Sequence, residues 1–240
     1  MIVIESFIWY QESERQRDRE TEISGQYQCH SISVQCTEVS VSMSSSVRRA
    51  SHANSWYSGN PQQLDRELSS WLSAATQLST PARAVISPHA GYSYSGPTAA
   101  YSFKQLDPNT VQTIFILGPS HHVRLSGCAV TQCSVYQTPL GDLSINRDIV
   151  KELLDTGKFE LMSIGADEDE HSIEMQLPYI AKVMEPARGQ FSIVPVMVGG
   201  LSPSSESKYG KIFAKYLKVK TIKIISVETS SCVRIRPLLL

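Results

Sequence analysis

Four short apolar runs, separated by stretches with helical spacing, constrain this chain more than any other feature. Residues 82–87 (ARAVIS), 111–117 (VQTIFIL), 191–198 (FSIVPVMV) and 221–227 (TIKIISV) are short and mainly apolar. Runs of that kind mark strands buried on both faces, as in a parallel sheet. The segments between them read as helices. Asn60-Pro61 pairs a capping side chain with proline at the first helical position, and Leu64, Leu68, Trp71, Leu72 and Ala75 then share one face. Residues 96–105 look helical, 146–156 form a helix stopped by Gly157, and 202–218 are amphipathic. Residues 168–184 are expected as one helix, with Ile173, Leu177, Ile180, Ala181 and Met184 on one face and Pro178 kinking or dividing it. Strand alternating with helix predicts an α/β fold, a largely parallel sheet with helices on both faces.

The regular pattern starts near residue 47. Before it lie a charged run, 12–22, and a Ser/Gln/Val stretch ending in Ser44-Ser45-Ser46, so residues 1–46 are expected to be a poorly ordered extension. Residues 47–227 form the α/β domain and 228–240 a divergent tail. A formal charge of −1 gives no electrostatic reason to expect nucleic acid or an anionic membrane as a partner. The five cysteines are odd in number and contain no C-x-x-C pair, which fits free thiols in a reducing cytoplasm better than disulfides or a zinc ribbon. No stretch approaches the ~20 apolar residues of a membrane span, and the N-terminus lacks the basic start of a signal peptide.

In an open parallel sheet, ligands bind beyond the carboxyl ends of the strands. His89 follows the first run in Pro88-His89-Ala90-Gly91-Tyr92, and His121 and His122 follow the second in Gly118-Pro119-Ser120-His121-His122. Two loops of the same kind thus bring imidazole to one edge of the sheet. Imidazole is neutral near pH 7 and is the commonest metal ligand among side chains. Two histidines with a carboxylate and open positions suit Fe(II) oxygen chemistry. A lone histidine in such a loop is more often structural, and it is the pairing that raises the metal reading. His122 is the weaker candidate, because neighbours in an extended segment point opposite ways.

Asp167-Glu168-Asp169-Glu170-His171 has two readings. Carboxylates at a helix start complement its positive end. Alternatively, Glu170 or His171 orients or supplements the histidine loops. His52 lies on no strand end that the pattern places, so it is left between ligand and packing. A serine-hydrolase reading of Ser120-His121 lacks the G-x-S-x-G elbow, and no phosphate-binding glycine motif is present.

Several of these segments resemble the Memo family, whose vertebrate member mediates cell motility driven by receptor tyrosine kinases. They are Ala50-Ser51-His52-Ala53 with Ser55-Trp56-Tyr57, Pro81-Ala82-Arg83-Ala84, Pro88-His89-Ala90-Gly91-Tyr92, Ile114 to Val123 (IFILGPSHHV), and Asp167 to Met175 (DEDEHSIEM) followed by Leu177-Pro178-Tyr179. The resemblance covers roughly residues 48–226. It implies the fold of class III extradiol non-haem iron dioxygenases and a metal site of two histidines, here His89 and His121, with a third ligand. It further implies iron or copper as the metal, with His52, His122, Glu170 and His171 in the pocket or behind the ligands. The partners it implies are phosphorylated receptor tyrosine kinase tails or their adaptors, bound without established dioxygenase activity. The family strand matching 221–226 runs on into Ser-Ser-Asp-Phe-Cys-His-Trp-Gly, whereas here it continues as Val227-Glu228-Thr229-Ser230-Ser231-Cys232. The family's cysteine ligand and the histidine matching the dioxygenase base therefore have no counterpart here. The fold is expected to be incomplete at its C-terminus, with no catalytic residue assigned and with Glu228 or Cys232 as possible replacement ligands.

Overall fold

The structure, a computed structural model, describes residues 46–78 and 82–227. In chain order these form β1 (Val47–Arg48), α1 (Pro61–Ala74), β2 (Ala84–Ser87), α2 (Tyr92–Phe103), β3 (Thr113–Pro119), β4 (Cys128–Val130), β5 (Val135–Tyr136) and β6 (Leu143–Ser144). There follow α3 (Arg147–Asp155), β7 (Phe159–Leu161), α4 (Ile164–Asp169), α5 (His171–Glu174), α6 (Leu177–Val183), β8 (Ser192–Val198), α7 (Pro203–Leu217) and β9 (Ile222–Val227).

A six-stranded sheet runs β2-β9-β3-β8-β4-β7. Its pairs are parallel except where β4 meets β8, so the sheet is mixed but largely parallel. The four apolar runs make the central strands. β3 and β9 are buried at every residue, and β8 at all but its first. Because successive side chains face opposite ways, such burial requires cover on both faces. Phe115 meets Phe213 and Tyr216 of α7, while its neighbours Ile114 and Ile116 are equally buried on the other face. α1 packs on α2 and α6, where Phe103 and Tyr179 stack at 4.7 Å. Short strands β1, β5 and β6 form a separate small sheet.

Local chemistry explains the helix starts. Asn60, Asn146 and Ser202 each cap a helix with a side-chain oxygen that accepts a backbone N–H three residues on. One expectation needs correction and another refining. α2 begins at Tyr92, four residues before the expected start, because Gly91 serves as its cap and Pro97 is accommodated inside the first turns. Residues 168–184 are divided, one of the two outcomes expected from Pro178, but at Glu170 as well as beside the proline. Glu170 takes an extended conformation (φ −85°, ψ 122°) and caps α5 through its side chain, and Gln176 separates α5 from α6. Pro178 sits in the first turn of α6, where its missing N–H costs nothing. Strands β4 to β7 are too short to show a period in sequence.

Of the expected extension, only Ser46 lies among the described residues. Its carbonyl accepts from the Ser134 N–H at 2.8 Å. Residues 1–45 and the tail 228–240, with Glu228 and Cys232, lie outside the described residues.

Candidate metal centre

The break at Glu170 turns His171 toward the carboxyl ends of β2 and β3. Five histidines lie among the described residues, and His171 is the ring that touches the other four. Its centroid lies 4.4 Å from His121, 5.4 Å from His89, 6.0 Å from His52 and 6.1 Å from His122. Trp56 stacks on it at 4.3 Å. His89 and His121 are themselves 5.2 Å apart. One nitrogen from each of His89, His121 and His171 falls within 4.8 Å of the other two. His52 and His122 lie at the rim and are not part of that group.

Glu170 stands behind these rings, 1% exposed. Its carboxylate accepts from the His121 backbone N–H at 2.6 Å, from His121 Nδ1 at 2.9 Å and from the Ser172 N–H at 2.9 Å. His171 Nδ1 lies 3.5 Å from the same oxygen. Burial works against ionisation of Glu170, but the His121 and Ser172 contacts outweigh it and hold the carboxyl below its ordinary range. An ionised carboxylate only accepts, so His121 carries its proton on Nδ1 and keeps the Nε2 lone pair. Burial, with the facing imidazoles adding to it against the pull of Glu170, lowers the His171 imidazole to about 4. His171 is therefore neutral at pH 7 and has a lone pair to offer.

A second carboxylate–imidazole pair lies beside the first. Glu174, 0% exposed, accepts from His52 N and Nδ1, both at 2.9 Å, and from the Tyr57 hydroxyl at 2.8 Å. Arg48 holds both carboxylate segments from inside the protein. It donates to Glu174 Oε2 at 2.7 Å, the Glu170 carbonyl at 2.9 Å, the Asp167 carbonyl at 2.9 Å and Asp167 Oδ1 at 3.1 Å. Tyr136 and Thr131 hydroxyls complete the Asp167 shell. Burial raises the Asp167 carboxyl in spite of Arg48. Glu174 is also desolvated, yet Arg48 and its other donors hold it low. Asn54, in the left-handed region at φ 67°, makes the tight turn that brings His52 and Trp56 to the site together. The Trp56 carbonyl then accepts the Tyr92 N–H at 2.9 Å, fixing that turn to the start of α2.

The donor set fits a transition metal. Ligands about 2.0–2.1 Å from a tetrahedral ion lie about 3.4 Å apart, so the three rings need close by no more than about 1.4 Å. A carboxylate behind two imidazoles is the usual means of fixing ligand tautomer and orientation. Sequence reasoning did not find Arg48, Glu174 or Trp56 as parts of the site. The signal for Arg48 was lacking, because an adjacent pair of arginines, Arg48-Arg49, reads as surface. Glu174 looked like one more charge on a helix face.

Comparison with known proteins bears on the same residues. A family model described as Memo-like protein matches residues 48–232. Protein MEMO1 of Danio rerio is 56% identical over 170 residues, 71% of this chain and 57% of the relative. The Homo sapiens Protein MEMO1 is 55% identical over the same shares. Protein memo-1 homolog of Caenorhabditis elegans is 56% identical over 172 residues, 72% of this chain and 49% of the relative. The chain thus spans about half the length of the curated relatives it matches.

Proposed function

The chain belongs to the Memo family, and on that footing we propose that it is a cytoplasmic signalling scaffold in cell motility that binds phosphotyrosine peptides. The peptides would come from receptor tyrosine kinase tails or their adaptors, and His89 and His121 would hold a metal ion, iron or copper, within the same site. The observation that carries this reading is the convergence of imidazoles and an aromatic platform on one open edge of the sheet. Trp56, stacked on His171, is 36% exposed. Such a ring gives a phosphotyrosine ring a face to stack on. The α2 N-terminus next to His89 favours negative charge. A bound metal would supply positive charge and an open coordination position. Among the described residues no helix is long and apolar enough to cross a membrane, consistent with a partner met away from the bilayer interior.

A second reading, an iron- or copper-dependent oxidoreductase of dioxygenase ancestry, is favoured by the His52–Glu174 pair. With Nδ1 held by Glu174, His52 Nε2 is free to take a proton beside the cluster. Against it, the Glu170 oxygens are taken up by N–H groups and are not offered to a metal as the carboxylate of a two-histidine, one-carboxylate set. Calorimetric titration with a phosphotyrosine-bearing receptor-tail peptide and its unphosphorylated twin separates the readings. The scaffold reading expects the phosphorylated form alone to bind and Trp56→Ala to weaken it. Equal binding of the two peptides, or none, overturns it. Metal-dependent oxygen consumption abolished by His121→Ala would establish the second reading.

A further inference from the structure

We propose that His171 is the third protein ligand of this metal site, giving an all-imidazole set with His89 and His121. This rests on the reading that the site holds a metal, and it moves His171 from a supporting position into the coordination sphere. Three observations support the assignment. The His171 ring lies closer to His121 than any other histidine pair in the site, and its nitrogen shares the 4.8 Å group with theirs. Glu170 Oε1 accepts from His121 Nδ1, which leaves that ring's Nε2 for the metal, and it lies 3.5 Å from His171 Nδ1 on the same side of the site. The ring is also held before any ion arrives. Trp56 covers one face, and Glu170 just before it is tied to Ser172 N and to Arg48. A ligand set is most effective when its rotamers are locked in this way.

Three neutral imidazoles leave the ion its full charge, whereas a carboxylate or thiolate would cancel part of it. Imidazole sets suit Zn, Cu, Fe and Ni. With Glu170 outside the coordination sphere, the open position would carry the whole dipositive charge toward an incoming anion. The set is also complete within residues 89–171.

Co(II) titration of the full chain tests this, read by visible absorption and by metal content after desalting, with circular dichroism to verify folding. Wild type is expected to bind one Co(II) per chain. His171→Ala should weaken binding by more than about a hundredfold, beyond the 10–100-fold range of residues that only support a ligand. His171→Cys should recover binding and add a thiolate-to-cobalt charge-transfer band absent from wild type, which only direct ligation produces. If His171→Ala binds as tightly as wild type, His171 is not a ligand, while the two-histidine reading survives. If His171→Cys shows no new band, the residue is structural and the inference fails. If the His89→Ala/His121→Ala variant binds like wild type, or wild type binds nothing, the metal reading fails and takes the inference with it.

Discussion

Replacing Arg48 by methionine should be the most damaging single change near the site. Its guanidinium is 0% exposed and donates to five oxygens, those of Asp167 (two), Glu170, Glu174 and Arg49. Methionine fills much of the volume but leaves the Asp167 and Glu174 carboxylates buried without a cation. Breaking a buried ion pair from one side costs about 3–5 kcal/mol. For a domain of this size that corresponds to a Tm lower by roughly 6–20 °C. The loss should depend on pH. In wild type the Glu174 carboxyl is held low, so its contribution is present above the ordinary carboxylate range near 4.3 and is lost as pH falls through the folded value. In the variant burial pushes both carboxyls up against only their remaining donors, His52 and Tyr57 at Glu174 and Thr131 and Tyr136 at Asp167. The penalty is then full at pH 7 and relieved as they protonate toward pH 4. Urea unfolding followed by circular dichroism at pH 7 and pH 4 measures both gaps. A loss under ~1 kcal/mol at pH 7, or a gap that does not narrow in acid, would refute the idea that Arg48 compensates these charges.

Three further outcomes are expected. Glu170→Gln keeps an acceptor for α5 but faces one of its three N–H donors with an amide, so Co(II) affinity in the titration above should fall about 10–100-fold with little change in Tm. Gly118→Ala would place its Cβ 2.6 Å from Ile173 Cγ1, 2.7 Å from Ser172 Oγ and 3.3 Å from the Ile173 backbone N. It should cost about 1–3 kcal/mol by chemical denaturation and move α5, with His171, away from His121. Cys128, whose thiol burial pushes up to about 12, and Cys133, also raised by burial, should resist iodoacetamide at pH 8 until denaturant is added, as mapped by peptide mass spectrometry. Labelling of either in native protein would contradict the packing around β4.

The central sheet was legible because β2, β3, β8 and β9 carry largely apolar runs, and Asn60, Asn146 and Ser202 announce their helices by cap chemistry. The antiparallel β4 escaped notice since three residues have no measurable period, and its burial comes from neighbours far along the chain. At the site, the strand-end rule brought His89 and His121 forward from the sequence. His171 was harder to place, because the smooth helical spacing of 168–184 conceals the extended Glu170. The competing hydrogen bonds of the Glu170 side chain decide that break, and one of their donors, His121, lies on another loop. Arg48 was invisible for the same reason, as its partners are tertiary.

His89 and His121 come from two strand-end loops and His171 from the start of α5, roughly 30 and 50 residues apart along the chain, so an unfolded chain would have to close two loops to bring them together. Metal bound at this site would therefore recognise the native state almost exclusively. Its presence at a hundred times its Kd would add about 2.7 kcal/mol of stability. During synthesis at about 5–20 residues per second, the His171 segment leaves the ribosome several seconds after the His89 loop. An ion could be captured only once β9, made later still, has inserted between β2 and β3 and set the His89 and His121 loops side by side, so metal uptake would report the completion of folding.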